Sequence, residues 1–307
     1  MYQSLIVYDY SPWGRSLASA LFPGARRFPA RLPDNADRIL EAVNADDTAF
    51  LFHIDLTDSR SAPTDRVSLG AGLRRRGIAV LNEAVTDISK RKLQAVCRES
   101  GLPHVTVDRN GPADERLIVK TDRNYGGLPE HRAGGAATWQ ASLDRASSGP
   151  RCPSYSVLRR YEISDEIWRS PDLVVERYIS NSAGRGYRAL VLLGRLAVLA
   201  FDTPHDVKRI PGHQRYLVEG SATPRRLRQV VARYIDHTRL DYGAIDLACD
   251  DSGVFYIIDV NLTPVWGNKP LGQVRAQLDP RRLSACGNEF LFAREGRDPG
   301  AIAEAVI

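Results

Sequence analysis

The stretch DYGAIDLACDDSGVFYIIDVNLTP, residues 241–264, constrains this chain more than any other. It reads as two strands around a DDSG turn, and both apolar halves carry acidic or amide side chains. Asp246 lies within AIDLA, and Asp259 and Asn261 lie within YIIDVN. A carboxylate inside a buried strand is costly unless its charge is compensated. Side chains alternate between the faces of a strand, so Asp259 and Asn261 are expected on one face with Phe255 and Ile257. A two- or four-residue loop then sets Asp246 opposite Ile257 and diagonal to Asp259 on that face, about 7–8 Å away. A three-residue loop sends Asp246 to the far face unless a bulge intervenes. In the first register, two carboxylates and an amide oxygen converge on one hard cation. An all-oxygen set suits Mg²⁺, which keeps several waters and shares its coordination with phosphates. The competing reading places Asp259 and Asn261 at a strand end, where they cap the following turn.

The rest of the chain supplies an α/β frame. SLIVYD (4–9), TAFLFHIDL (48–56) and GIAVLN (77–82) read as buried strands separated by helical or polar segments, which points to a small layer of parallel strands. TDISKRKLQAVCRESG reads as a helix capped by Thr86 or Asp87 and ended by Gly101, with Leu93, Val96 and Cys97 on one face. RLIVKTD (116–122) and DLVVERYI (172–179) read as strands, and YRALVLLGRLAVLAF (187–201) as a hairpin turning at Gly194-Arg195. Thr223 and Pro224 open a helix whose apolar stripe is Leu227, Val230, Val231, Tyr234 and Ile235. Residues 128–153 are rich in Gly, Ala, Ser and Pro and show no period.

Composition narrows the classes. The 42 Lys and Arg against 37 Asp and Glu leave a net charge of +5, which permits an anionic ligand without requiring one. The basic runs, RRR at 74–76 and RRLR at 225–228, are short and read as solvated helix faces, so no nucleic-acid partner is expected. Cys97, Cys152, Cys249 and Cys286 form no CxxC pair, which argues against zinc or a disulfide framework and fits a reducing, cytoplasmic setting. The longest apolar run is broken by Gly194 and Arg195 and is too short to span a bilayer, so no membrane partner is expected. No signal peptide is apparent at the N-terminus. GRGYRA (184–189) matches a dinucleotide fingerprint in letters only, because it runs into a strand instead of following one. There is no P-loop, no GxSxG and no HExxH. His53 reads as a satisfied core or strand-end residue.

Taken together, these segments resemble the ATP-grasp superfamily. AIDLACDDSGVFYIIDVNLTP is similar to its metal-binding hairpin, and DISKRKLQAVCRESGLPHVTV to its entry helix. LIVKTDRNYGG is similar to the strand-lysine-glycine loop, LVVERYI to the hinge strand, and GYRALVLLGRLAVLAF to the arginine-bearing segment. The resemblance runs over residues 86–264 in the family's order, and residues 1–85 resemble the α/β domain that often precedes it. It implies an N-terminal α/β domain (1–85) and an ATP-grasp domain (86–307) of two α+β lobes, hinged near 173–179. RimK-like and D-alanine–D-alanine ligase-like carboxylate–amine ligases are the most similar subgroups. The resemblance implies that Lys90 and Lys120 contact the α- and β-phosphates of ATP, and that Gly126 and Gly127 let a loop close over them. Glu176 would accept from the adenine amino group, and the backbone near Arg177 and Tyr178 would read the ring edge. Arg188 and Lys208 would neutralise the γ-phosphoryl group, while Asp246, Asp259 and Asn261 would hold one or two Mg²⁺ ions, with Mn²⁺ as a substitute. Asp259 departs from the family's usual glutamate, and its shorter reach favours one ion over two. The implied activity is ATP-dependent joining of a small-molecule or peptide carboxylate to an amine. A non-catalytic ATP-binding module and a phosphotransferase of the same fold are the alternatives. The sequence carries no signature of the substrates or of oligomeric state.

Overall fold

The computed structural model describes residues 4–9, 16–22, 24–29, 35–54, 56, 65–123, 155–202, 215–218 and 224–264. The first unit is a parallel sheet in the order β2-β1-β3-β4, formed by β1 (Ser4–Asp9), β2 (Arg26–Pro29), β3 (Asp47–His53) and β4 (Ala79–Leu81). The helices of this part are α1 (Leu17–Leu21), α2 (Ala36–Glu41) and α3 (Arg66–Arg75). The apolar runs of β1 and β3 are continuous because both faces of this sheet are buried, which is usual when strands run parallel. His53 is fully buried at the end of β3, the strand-end position expected, with Nδ1 2.7 Å from Asp9 Oδ1.

Helix α4 (Lys90–Glu99) leads into a three-stranded antiparallel sheet, β6-β5-β7, made of β5 (Arg116–Thr121), β6 (Tyr155–Arg159) and β7 (Leu173–Arg177). One face of it carries Leu117, Val119, Leu158 and Leu173, which pack with Ile167 of the short helix α5 (Asp165–Arg169). A five-stranded sheet follows in the order β10-β9-β8-β11-β12. Its strands are β8 (Arg185–Leu192), β9 (Arg195–Asp202), β10 (Arg215–Val218), β11 (Tyr242–Cys249) and β12 (Phe255–Asn261), and helix α6 (Arg225–Thr238) precedes β11.

Strand β8 shows why YRALVLLGRLAVLAF is apolar without alternation. Tyr187, Ala189 and Val191 pack against α4 and α6 through Leu93, Val96, Leu227 and Val231. Leu190 and Leu192 lie in a second core with Leu5, Val7, Ala49 and Leu51 of the parallel sheet. Asn82, at φ +61° just after β4, clamps the two units together. Its Oδ1 accepts from the backbone N–H groups of Asp241 (3.0 Å) and Tyr242 (2.9 Å), and its Nδ2 donates to Tyr242 O at 2.8 Å.

Several local expectations shift. Helix α4 is capped by Ser89, which accepts from Lys92 N, and not by Thr86 or Asp87; Gly101 ends it at φ +66°, as expected. Helix α6 has Pro224 at its N-cap and so begins one residue later than expected; Thr223 lies outside the described residues. The β8–β9 turn is Leu193-Gly194, with φ +49° and +82°, because Leu192 pairs Arg195. Two consecutive positive φ angles match the right-handed twist of a two-residue hairpin. Among the described residues, no helix is long and apolar enough to cross a membrane.

Candidate functional site

The hairpin of β11 and β12 closes with a three-residue loop, not one of two or four. Asp250 N–H donates to Val254 O at 2.9 Å, and Gly253 takes φ +80°. Cys249 therefore pairs Phe255 and Leu247 pairs Ile257, the register expected to send Asp246 to the far face. A β-bulge intervenes. The register shifts beside Ile258, so that Asp246 pairs directly with Asp259 and Ala244 with Asn261. One extra residue reverses the parity of everything beyond it. The expected face is thereby corrected: Phe255, Ile257 and Val260 belong to the core beneath α4 and α6, whereas Asp259 and Asn261 lie with Asp246 on the other face. The expected diagonal placement of Asp246 becomes a direct one.

The compensation of Asp246 comes from the neighbouring strand. Arg188 on β8 pairs Asp246 in register, with Nε to Oδ1 at 2.5 Å and Nη2 to Oδ2 at 2.6 Å. Both side chains are largely buried, at 9% and 14% exposure. Asn261 Oδ1 accepts from Thr263 N at 2.8 Å and Thr263 Oγ1 at 3.1 Å, the turn-capping role of the competing reading. Among the described residues no hydrogen bond shows Asp259 capping that turn. Its Oδ1 is enclosed, has no hydrogen-bond partner among the described residues, and sits 3.7 Å from Lys90 Nζ.

Two lysines cross the seam between the sheets in opposite senses. Lys90, on α4 against β12, donates to Arg123 O just beyond β5 at 2.7 Å. Lys120, on β5, donates to Ile258 O in the bulge at 3.3 Å and lies 2.6 Å from Glu176 Oε2 on β7. Burial holds the Lys90 ammonium below the usual lysine range, opposed by Asp259 and reinforced by nearby Lys120. Glu176 is buried, and its Oε1 has no partner among the described residues. The expected ring-edge donors are engaged inside the fold: Arg177 N–H donates to Val105 O at 2.8 Å, and Tyr178 N–H to Arg116 O at 3.3 Å. Gly126, Gly127 and Lys208 lie outside the described residues.

One positioning residue escaped the sequence reading. Gln94 is buried on the apolar face of α4; its Nε2 donates to Ile257 O at 2.9 Å, and its Oε1 accepts from Val105 N at 3.0 Å. It ties the helix, the bulged strand and the segment entering β5 together. A glutamine among Leu93, Val96 and Cys97 was the available signal.

The donor set fits a hard cation. Among the described residues no group of three or more His, Cys, Asp and Glu side chains gathers. Mg²⁺ needs only one or two carboxylates when phosphates complete its shell. The enclosed Asp259 Oδ1, which has no hydrogen-bond donor among the described residues, could serve such an ion, and Asp246 lies directly opposite with both carboxylate oxygens on Arg188.

A parallel α/β unit followed by antiparallel sheets of three and five strands, with lysines and acids along their seam, is the ATP-grasp fold. Three solved structures show the likeness. The ATP-grasp ligase PsnB, complexed with a phosphomimetic variant of its minimal precursor, Mg and ADP, superposes with a TM-score of 0.53 at 14% identity, over 96% of this chain and 99% of that one. The macrocyclase MdnC from Microcystis aeruginosa MRC, bound with precursor peptide MdnA, gives 0.52 at 12% identity over 94% and 99%. A Chryseobacterium gregarium RiPP-associated ATP-grasp ligase, in complex with ADP and a leader and core peptide, gives 0.53 at 11% over 96% and 98%. No family model matches the chain, and no curated protein matches it in sequence.

Proposed function

We propose that this chain is an ATP-dependent carboxylate–amine ligase, activating a substrate carboxylate as an acyl phosphate and joining it to an amine with release of ADP and phosphate. One observation carries the reading: Lys90, Lys120, Glu176 and Asp259 meet across the seam of an ATP-grasp fold, with two carboxylate oxygens enclosed and without a hydrogen-bond partner among the described residues. Buried acceptors of this kind are expensive unless a ligand satisfies them. Bound ATP supplies the phosphoryl group that turns a carboxylate oxygen into a leaving group, and Mg²⁺ offsets the polyphosphate charge.

The chain's own residues supply binding and charge. Lys90 and Lys120 hold the α- and β-phosphates, and Glu176 accepts from the base near Arg177 and Tyr178. Arg188, already aligned by Asp246, offers charge to the γ-phosphoryl group together with Lys208, while Gly126 and Gly127 cover the phosphates. Asp259, Asp246 and the amide of Asn261 hold the metal, and the Asx turn to Thr263 fixes the Asn261 amide. Positioning and electrostatics of this kind account for most phosphoryl-transfer catalysis. The domain division at 85/86, the RimK-like or D-alanine–D-alanine ligase-like assignment and a cytoplasmic setting belong to the same reading, and the free thiols of Cys97 and Cys249 support the last. The solved complexes with precursor peptides support a peptide as carboxylate or amine donor.

The test is an ADP-release screen over amino acids and short peptides with mass detection of the product. A ligase yields an amide. A phosphorylated alcohol indicates the phosphotransferase, and nucleotide binding without turnover on any acid–amine pair indicates the non-catalytic module.

A further inference from the structure

We propose that Lys120 makes base recognition by Glu176 conditional on the phosphates of the same nucleotide. The inference rests on the nucleotide reading above and goes beyond it, because it links two subsites through one side chain.

Lys120 holds two partners at once. Its ammonium lies 2.6 Å from Glu176 Oε2 and donates a longer bond, 3.3 Å, to the Ile258 carbonyl of the β12 bulge. It is the one cation paired with Glu176 among the described residues. While that pair stands, the Glu176 charge is already offset, and a neutral amino group offered to the enclosed Oε1 adds little. Polyphosphate competes for the ammonium with several charged oxygens, against one carboxylate oxygen and one long bond to a carbonyl. Once Lys120 turns to the phosphates, Glu176 is a buried carboxylate without its counter-ion and requires a donor. The exocyclic amino group of a 6-aminopurine is such a donor. A 6-oxopurine presents an acceptor there and leaves the carboxylate unsatisfied. Discrimination at the base is therefore expressed fully only when the phosphates are attached.

The experiment is calorimetric titration of the full chain with adenosine, inosine, ATP and ITP. One unsatisfied buried group corresponds to about 5-fold to about 150-fold in affinity, and a preference for ATP over ITP in that range is expected. Adenosine and inosine should differ by less than about 3-fold, because Lys120 stays on Glu176. In Lys120→Met the two selectivities should become equal, whichever protonation state Glu176 then adopts. Lys120→Arg retains a cation and serves as the folded control, keeping the difference between nucleosides and triphosphates. Equal selectivities in the unmodified chain, or an unchanged ratio in Lys120→Met, overturn the coupling and leave the nucleotide site standing. Failure of all four ligands to bind removes the nucleotide site and this inference with it.

Discussion

The Arg188–Asp246 pair allows the charge arrangement to be tested without a ligand. Two near-parallel bonds of 2.5 and 2.6 Å join side chains that are 9% and 14% exposed. Unit charges about 4 Å apart attract by about 4 kcal/mol at an effective dielectric of about 20. Desolvating both ions consumes much of that gain, so the pair as a whole contributes little. Removing one partner is different, because the survivor stays buried and unpaired. Asp246→Ala and Arg188→Met should each destabilise by about 3–5 kcal/mol. The double variant should lose no more than about 3 kcal/mol, giving a coupling energy of at least about 3 kcal/mol. Urea unfolding followed by tryptophan fluorescence and far-ultraviolet circular dichroism measures all four proteins. If the double variant loses the sum of the two single losses to within about 0.5 kcal/mol, the two charges do not compensate one another and the argument fails.

That compensation was only half legible in the sequence. The hairpin and its DDSG turn could be read, but the meeting of Asp246, Asp259 and Asn261 was expected only for a two- or four-residue loop or an intervening bulge. The register could not be read, because it depends jointly on a three-residue loop and on one bulged residue, each of which reverses parity. Nor could the Arg188–Asp246 pair be read, since its members lie 58 residues apart and are joined by strand pairing alone. Strands β2, β6 and β10 carried no usable signal, and among the described residues each ends its sheet. The apolar patterns of the first two are weak: β2 alternates half-buried with exposed positions, and β6 has one buried residue in five. Helix α4 shows the converse. Leu93, Val96 and Cys97 were legible as a packed face, whereas the tie made by Gln94 on that face depends on carbonyl and amide groups from two distant segments.

Three further predictions follow from the same geometry. Asp259→Ala should abolish Mg²⁺-dependent ADP release while leaving the unfolding transition near that of the parent, since Asp259 is a third exposed and accepts no capping hydrogen bond among the described residues; normal metal-dependent turnover would dismiss its metal role. The Cys97 thiol, pushed up to about 12 by burial with Glu176 nearby, should resist iodoacetamide at pH 8 in the native chain and react once urea unfolds it, as peptide mass mapping would show. The bulge makes the sharpest prediction. Shortening YIID to YID removes the residue that has no opposite number, so Asp259 should still face Asp246 and Asn261 should still face Ala244. Metal-dependent ADP release should survive that deletion, with at most the roughly 3 kcal/mol of one charged hydrogen bond lost where Lys120 meets the Ile258 carbonyl. Lengthening the same segment to YIIID adds a residue that the ladder must either bulge a second time or absorb by turning Asp259 toward Leu93 and Val231, so turnover should collapse. If the shortened hairpin fails and the lengthened one works, the register assigned to these strands is wrong, and with it the meeting of the two aspartates on one face.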